Sequence, residues 1–400
     1  MGETFARTTA LDAAFHMHTY ARKPVMFVRG SGMRLYDDDG REYLDFTSGI
    51  GVVNLGHAHP AVAAAVSAQM ERLVHVSNLF YVEHRDELAE RLVGLFGGDA
   101  RVFFSNSGAE ANEGAIKLAR RWGKARHGET CTKIVTAERS FHGRTLATLA
   151  ATGQPSKQEA FEPLPAGFVH VPLNDLAALA EALTDDVCAV LLEPIQGEGG
   201  VFPCTHEYLT GARRLCDERG ILLMFDEVQT GFFRTGAAFA WQGYGVRPDV
   251  MTLAKGMANG MPIGAVLAQC DVADAFQPGD HGSTFGGGPV VCAAALATID
   301  ALEEGRLGEN AGRVGAYLRE GLEGLAAATG AITEVRGCGL MVGITLNRPV
   351  AVAAAASALE SGVVMLSVGD SILRFLPPLV CSTAEVDTLL GILSAAIGDS

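Results

Sequence analysis

Apolar residues recur along the chain at two spacings, and where each spacing holds predicts the architecture. After an N-terminal helical segment, "MFVRGSGMRLYDDDGREYLDF" alternates apolar with polar on both sides of "DDDG" and reads as a hairpin. From about residue 60 to 285 short apolar runs are separated by helical stretches: "RVFFS" (101–105), "KIVTAE" (133–138), "CAVLLEP" (188–194), "ILLMFDE" (221–227), "DVMTLA" (249–254) and "IGAVLA" (263–268). Unbroken apolar runs belong to strands buried on both faces, so this region predicts a mostly parallel sheet covered by helices on each side. From about 290 onward follow an Ala-rich helix, a second helix around 309–328, strands near "EVRGCGLMVGITL" and "SILRFL", and a closing helix from Thr383. The expected layout is α/β: an N-terminal segment 1–60 packing with the small domain, a large domain 61–288, and a C-terminal α+β domain 289–400. No internal repeat is visible at periods of 20 to 50 residues.

Composition narrows the function classes. The 400 residues exceed what one core usually serves. Apolar residues make up 48% and charged residues 19%, and the 48 glycines and 15 prolines are dispersed, as in a globular chain. A net charge of −15, from 31 basic and 46 acidic residues, disfavours nucleic acid and anionic membrane as partners. An anionic ligand therefore needs a local pocket. The eight cysteines stand singly, with no CxxC pair, which points to reduced thiols in a cytoplasmic protein. The start "MGETFARTTALDAAF" has no basic n-region and no apolar core, so no secretory leader is expected. The uncharged stretch from Gly282 to Ile299 is broken by four glycines and a proline and is too short to cross a bilayer.

Ligands in parallel sheets bind beyond the carboxyl ends of the strands, and four such ends carry chemistry here. In "DVMTLAKGMANGMPIGAVLAQ" a lone lysine, Lys255, ends an apolar run before a glycine-rich turn. A lysine so placed ordinarily snorkels to water. After "RVFF", the small residues of "SNSGAEANEGAIKLARRWG" open a helix whose free amides favour a phosphate, and Ser107 with Glu110 also spells a capping box. After "KIVTAE", "SFHGRT" supplies an aromatic, Phe141, and a cation, Arg144. "ILLMF" ends in Asp226 and Glu227, which resembles an NTPase strand, but no GxxxxGK[ST] loop accompanies it. A flat, phosphorylated pyridine aldehyde asks for this set: phosphate on a helix N-terminus, ring on an aromatic face, a carboxylate for the ring nitrogen and a lysine to condense with the aldehyde. The histidine pairs "HMH" and "GHAHP" lack further ligands at metal spacing, so no metal is expected. "GEGG" at 197–200 opens no dinucleotide-binding helix.

The motifs "LDFTSGIGVVNLGHAHP", "VHVSNLFY", "FFSNSGAEANEGAIKLAR", "SFHGRTLATLAATGQP", "LLEPIQGEGGV", "FDEVQTG", "TLAKGMANGMPIGAVLA", "HGSTFGG" and "LRFLPPL" run almost the length of the chain. In them the chain resembles the class III aminotransferases that depend on pyridoxal 5'-phosphate (PLP), nearest to members that use N2-acetylornithine. The resemblance implies the fold type I architecture, a large, mostly parallel seven-stranded sheet domain with a smaller α+β domain, and a homodimer with shared active sites. It implies that Ser107, Gly108 and Ala109 hold the cofactor phosphate, Phe141 packs on the ring, Asp226 pairs with the ring nitrogen, and Val228 and Gln229 complete the ring site. Lys255 would carry the cofactor, and Thr284 would reach the phosphate of the neighbouring subunit's cofactor. Arg144, Ser283 and Tyr20 would bind the amine donor, and Arg374 the α-carboxylate of 2-oxoglutarate. Glu198 would mask Arg374 and release it when the diacid arrives.

Two residues depart from the family pattern, Gly288 where asparagine is usual and Phe233 where a small residue is usual. Ile50 stands where ornithine-specific members have an aromatic residue, and offers no hydrogen bond to a free α-ammonium. The expected reaction is transamination of N2-acetylornithine with 2-oxoglutarate to N-acetylglutamate 5-semialdehyde and glutamate, in arginine biosynthesis. Ornithine, succinylornithine, succinyldiaminopimelate or 4-aminobutyrate are alternative donors, and a non-catalytic PLP-binding regulator is the reading from another class.

Overall fold

In the computed structural model, which describes residues 3–398, seven strands form one sheet. Their order is Ala100–Ser105, Gly264–Gln269, Val250–Leu253, Leu222–Asp226, Val187–Leu192, Lys133–Ala137 and Phe168–Val171. Gly264–Gln269 runs antiparallel to both its neighbours, and the other adjacent pairs are parallel. Six of the strands coincide with the six apolar runs. The seventh, "FVHV", is a half-buried edge strand of four residues, too short and too polar to announce itself.

Strand pleating decides which side chain meets which layer. Leu222 and Met224 pack with Ala111, Ala115 and Leu118 of the helix Gly108–His127, whereas Leu223 and Phe225 pack with Leu209, Ala212 and Cys216 of the helix His206–Arg219. Two residues on from Met224, Asp226 therefore falls on the side of the helix Gly108–His127. Val187–Leu192 is buried at every position, as its unbroken apolar sequence requires.

A second sheet, in the order Ile332–Cys338, Met341–Leu346, Ile372–Phe375 and Leu366–Val368, lies in the C-terminal region with the helices Leu307–Thr329 and Thr383–Gly398. The N-terminal region corrects one expectation. In place of a single hairpin, Phe27–Ser31, Arg34–Asp37 and Glu42–Asp45 form a three-stranded meander with a further turn at Gly32 and Met33. Its last strand pairs parallel with Val363–Val364, so Leu44 N donates to Gly362 O (2.8 Å) and Phe46 N to Val364 O (2.9 Å).

One side chain ties these regions together. The guanidinium of Arg234 is wholly buried and donates to the carbonyls of Leu340 (3.0 Å) and Pro377, to Asn54 Oδ1 (2.6 Å) and to Ser48 Oγ (3.3 Å). Burial lowers its pKa to about 9, against the opposing pull of Asp45. The adjacent departure, Phe233, packs on the main core over Gly308, where a Cβ would lie 2.8 Å from the phenylalanine ring. Gly288, the other departure, caps the helix Pro289–Glu304 and has no side chain with which to bond its amides.

Candidate active site

The carboxyl ends of the parallel strands open on a cavity of ≈ 370 Å³. Asp226 ends its strand with three donors converging on it. Asn112 Nδ2 (2.7 Å) and His142 Nδ1 (2.8 Å) bond Oδ2, and Val228 N (3.0 Å) bonds Oδ1. Thr252 Oγ1 donates to Asn112 Oδ1 at 2.7 Å and so fixes which way that amide points. All four side chains are buried. Asn112 and His142 lie inside quoted motifs but are not anticipated as site residues. The legible signal for Asn112 is a polar residue on the helix face that also carries Ala111 and Ala115, since a buried amide needs partners.

Lys255 follows the next strand as the first residue of the short 3₁₀ turn Lys255–Ala258, with φ 43°. A left-handed conformation in a residue other than glycine is strained, by roughly 1–3 kcal/mol, and persists where the surroundings enforce it. Burial, and then the nearby Arg374, lower the amine's pKa to about 8 against the opposing carboxylates of Asp226, Glu193 and Glu198.

The helix Gly108–His127 presents its N-terminus to the cavity. Ser107 Oγ accepts from Glu110 N at 3.2 Å, but Glu110 reaches back to Asn106 N and Nδ2 (2.8 Å each) rather than to Ser107 N, so the expected box is half formed. Gly108 and Ala109 contribute open amides of the first turn. Only glycine fits at 108, because a Cβ would lie 2.8 Å from Val228 Cγ1. Phe141 N donates to Glu193 Oε1 (2.9 Å), and Gly197 N to Glu193 Oε2 (3.0 Å). Burial pushes the Glu193 carboxyl well above the usual carboxylate range. The Phe141 ring has the Arg144 guanidinium 5.7 Å and the Lys157 ammonium 5.6 Å from its centroid.

Ser107, Gly108, Ala109, Phe141, Asp226, Val228, Gln229 and Lys255 all line the cavity, as do Arg144 and Glu198. Thr284 does not; it is exposed and followed by the exposed Phe285. Tyr20 is likewise exposed, beside Arg22, away from the cavity. Ser283 Oγ accepts from Asn106 Nδ2 (3.1 Å) and Gly286 N (3.0 Å), one residue outside the lining. Ile50 is 45% exposed with φ 69°, and Val52 lines the cavity in its stead.

Arg374 is only 5% exposed, with Nη1 donating to Gly197 O (2.9 Å) and Nε unpartnered. The expected pair with Glu198 is not formed in this structure. Glu198 Oε1 accepts from Lys157 Nζ (2.7 Å) and Oε2 from Gln154 Nε2 (2.8 Å). Neither Gln154 nor Lys157 is foreseen from the sequence. Of the histidines in the pairs, His57 bonds Asp45 Oδ2 (2.8 Å) and His16 bonds Asp12 Oδ1 (2.6 Å). Among the described residues no group of three His, Cys, Asp or Glu side chains is placed to hold a metal.

A flat anion with an electrophilic carbon fits these groups. The open amides face one end of the cavity, the Phe141 ring offers a plate, and Lys255 supplies an amine of lowered pKa. Gln229 Oε1 is buried without a partner.

Comparison with known proteins agrees with this reading. The family model described as aminotransferase class-III matches residues 16–397. An acetylornithine aminotransferase from Caldanaerobacter subterraneus subsp. tengcongensis is 49% identical over 389 residues, covering 97% of this chain and 98% of that protein. Among solved structures, the acetylornithine aminotransferase from Elizabethkingia anophelis superposes with a TM-score of 0.90 at 35% identity, with 100% of each chain covered. An ornithine aminotransferase from Toxoplasma gondii, described with PLP at partial occupancy in its active site, gives 0.95 at 34% identity over 99% of this chain and 94% of its own.

Proposed function

The chain belongs to the class III aminotransferases, and we propose that it moves the distal amino group of N2-acetylornithine to 2-oxoglutarate, giving N-acetylglutamate 5-semialdehyde and glutamate in arginine biosynthesis. The observation that carries the reaction is the amine of Lys255, lowered to about pKa 8, in one cavity with Asp226, Phe141 and the open end of a helix. Near-half identity over nearly the full length of a relative named for N2-acetylornithine supports the donor.

The cofactor, PLP, supplies when bound an electron sink that stabilises the charge left on the donor carbon. The amides of Gly108 and Ala109, with Ser107, would hold its phosphate. Phe141 and Val228 would hold its ring, Gln229 its hydroxyl, and Asp226, oriented by Asn112 and His142, its ring nitrogen. Lys255 is the covalent anchor. Its Nζ, with a pKa lowered to about 8, would be the base that takes the proton from the amine-bearing carbon. Arg144, with Ser283 and Tyr20, receives the donor's carboxylate, and Arg374 the α-carboxylate of 2-oxoglutarate.

The assembly is a homodimer. Leu79 (86%), Tyr81 (97%) and Phe285 (66%) are large apolar side chains left in water by the single chain, and with the exposed Thr284 they suit a surface covered by a second copy. Thr284 then serves the partner's cofactor phosphate. Sedimentation of the holoenzyme checks this, and a fully active monomer would exclude it. A cytoplasmic location is part of this proposal, supported by the eight free cysteines.

The donor is tested by kcat/KM for N2-acetylornithine, ornithine and 4-aminobutyrate at saturating 2-oxoglutarate. An unpaired ammonium near an aliphatic rim is disfavoured by roughly 1–3 kcal/mol, so N2-acetylornithine should lead ornithine by about tenfold or more. A lead for ornithine or 4-aminobutyrate would overturn the donor and leave the transaminase standing.

A further inference from the structure

The loop that carries Glu198 is gripped from two sides. Arg374 holds the carbonyl of Gly197, and the side chains of Gln154 and Lys157 hold the carboxylate of Glu198, one on each oxygen. The turn Pro155–Gln158 that presents Lys157 is itself fixed. Gln158 Nε2 donates to the carbonyls of Leu149 (3.0 Å) and Thr152 (2.7 Å), at the end of the preceding helix. Arg374, by contrast, is a buried cation with no carboxylate within 4.0 Å among the described residues and with an unpartnered Nε. A guanidinium kept from water and left unpaired is disfavoured, so it draws any mobile anion nearby. Glu198 is that anion: it is the first of the carboxylates acting on Arg374, and it is only part-buried. It is held instead by the ammonium of Lys157 at 2.7 Å, its one charged partner, and by the amide of Gln154 at 2.8 Å.

We propose that Lys157 is a positioning residue that latches the Glu198 carboxylate away from Arg374, so that the resting site presents an open guanidinium to a dicarboxylic acid. The inference rests on the assignment of Arg374 to the diacid's α-carboxylate. Lys157 touches neither reactant; it sets the fraction of molecules in which Arg374 is vacant, and apparent affinity for the diacid scales with that fraction. Without the latch, Glu198 swings onto Arg374 and competes with the incoming acid. A donor with one carboxylate, bound by Arg144, is indifferent to the exchange.

The test uses the holoenzyme and glutarate, a dicarboxylate that binds without reacting, titrated by calorimetry alongside steady-state kinetics. Lys157→Ala should weaken glutarate binding and raise KM for 2-oxoglutarate by about tenfold, as expected if Arg374 becomes masked nine-tenths of the time, while KM for the donor changes by less than about twofold. Lys157→Arg should bind glutarate like the wild type. Adding Glu198→Gln to Lys157→Ala removes the competing charge and should restore glutarate affinity. Unchanged glutarate affinity in Lys157→Ala, no measurable binding to the wild type, equal losses for donor and diacid, or failure of Glu198→Gln to restore binding each overturns the latch. The last of these would mean that Lys157 grips the diacid itself. Because glutarate binding does not require turnover, a protein that transfers no amino group to 2-oxoglutarate would sink the proposed reaction while the latch stayed measurable.

Discussion

The floor of the cavity and its mouth are built on different principles. On the floor, Asp226, Asn112, His142 and Thr252 close a buried network in which Asp226 accepts three hydrogen bonds. Their positions follow from strand register: Asp226 stands opposite Thr252, and Lys255 lies three residues beyond. At the mouth, Arg374 comes from the smaller sheet, Glu198 from a glycine-rich loop and Lys157 from a short turn, while Tyr20 and Thr284 lie outside the cavity, exposed to solvent. The contrast teaches that the reaction type is written into a rigid sheet, whereas the choice of reactant is left to a set of competing charges.

Breaking the floor should have the largest effect. Lys255→Ala should lower kcat by roughly 10⁴-fold or more, the upper end of what a positioned acid–base group contributes. Its circular dichroism and Tm should stay near wild type, since a strained, desolvated cation leaves with the mutation. Borohydride reduction and peptide mapping of the wild type should place the pyridoxyl group on Lys255; a label on another lysine would refute the assignment.

Mouth substitutions should split the two half-reactions instead of stopping both. Arg374→Ala should weaken the 2-oxoglutarate half by about 2–5 kcal/mol, the usual loss when a buried carboxylate loses its cation, and disturb the donor half far less. Arg144→Ala should do the reverse. Single-turnover rates measured separately for each half decide this, and equal losses for Arg374→Ala would erase the distinction between floor and mouth.

The smallest effect sharpens the comparison through pH. The folded-state pKa of Lys255 is lowered from 10.5 to about 8, so the amine that must attack the aldehyde becomes neutral early. Apoenzyme capture of PLP, followed by absorbance, should quicken about fivefold from pH 7 to 8, nearly double again by about pH 9 and level off above that. Leveling only near 10.5 would show an amine that the site does not perturb. The same shift means that the unfolded chain binds the extra proton between about 8 and 10.5. Its contribution to stability therefore rises with pH across that window and is unfavourable below it.

The legibility of the sequence follows the same division. Six of the seven central strands are plain because burial on both faces leaves an unbroken apolar signature, and the half-buried Phe168–Val171 carries none. Asp226, Lys255, Ser107, Gly108 and Ala109 are legible because each ends or closely follows a strand or opens a helix. Asn112 and His142 pass unnoticed although they orient Asp226, since a polar residue inside a helix or loop is common and only its burial gives it meaning. Lys157 is less visible still. Its contact with Glu198 joins a short turn to a loop 41 positions away, and no local pattern encodes that distance. The meander at the N-terminus eludes the pattern for a related reason: its outer partner, Val363–Val364, lies near the other end of the chain.

Arg234 has a consequence for how the enzyme can move. Its four acceptors lie in the N-terminal segment and at two points of the C-terminal region, while its own backbone belongs to the loop after the central strand. Swinging the smaller sheet as a rigid body would pull this buried charged group from two of these partners, the carbonyls of Leu340 and Pro377, and such a step is strongly unfavourable. Two-domain proteins commonly open and close about a hinge. Here a single buried guanidinium fastens the loop after the central strand to the N-terminal segment and to the smaller sheet, so relative motion of these parts carries the cost of breaking charged hydrogen bonds.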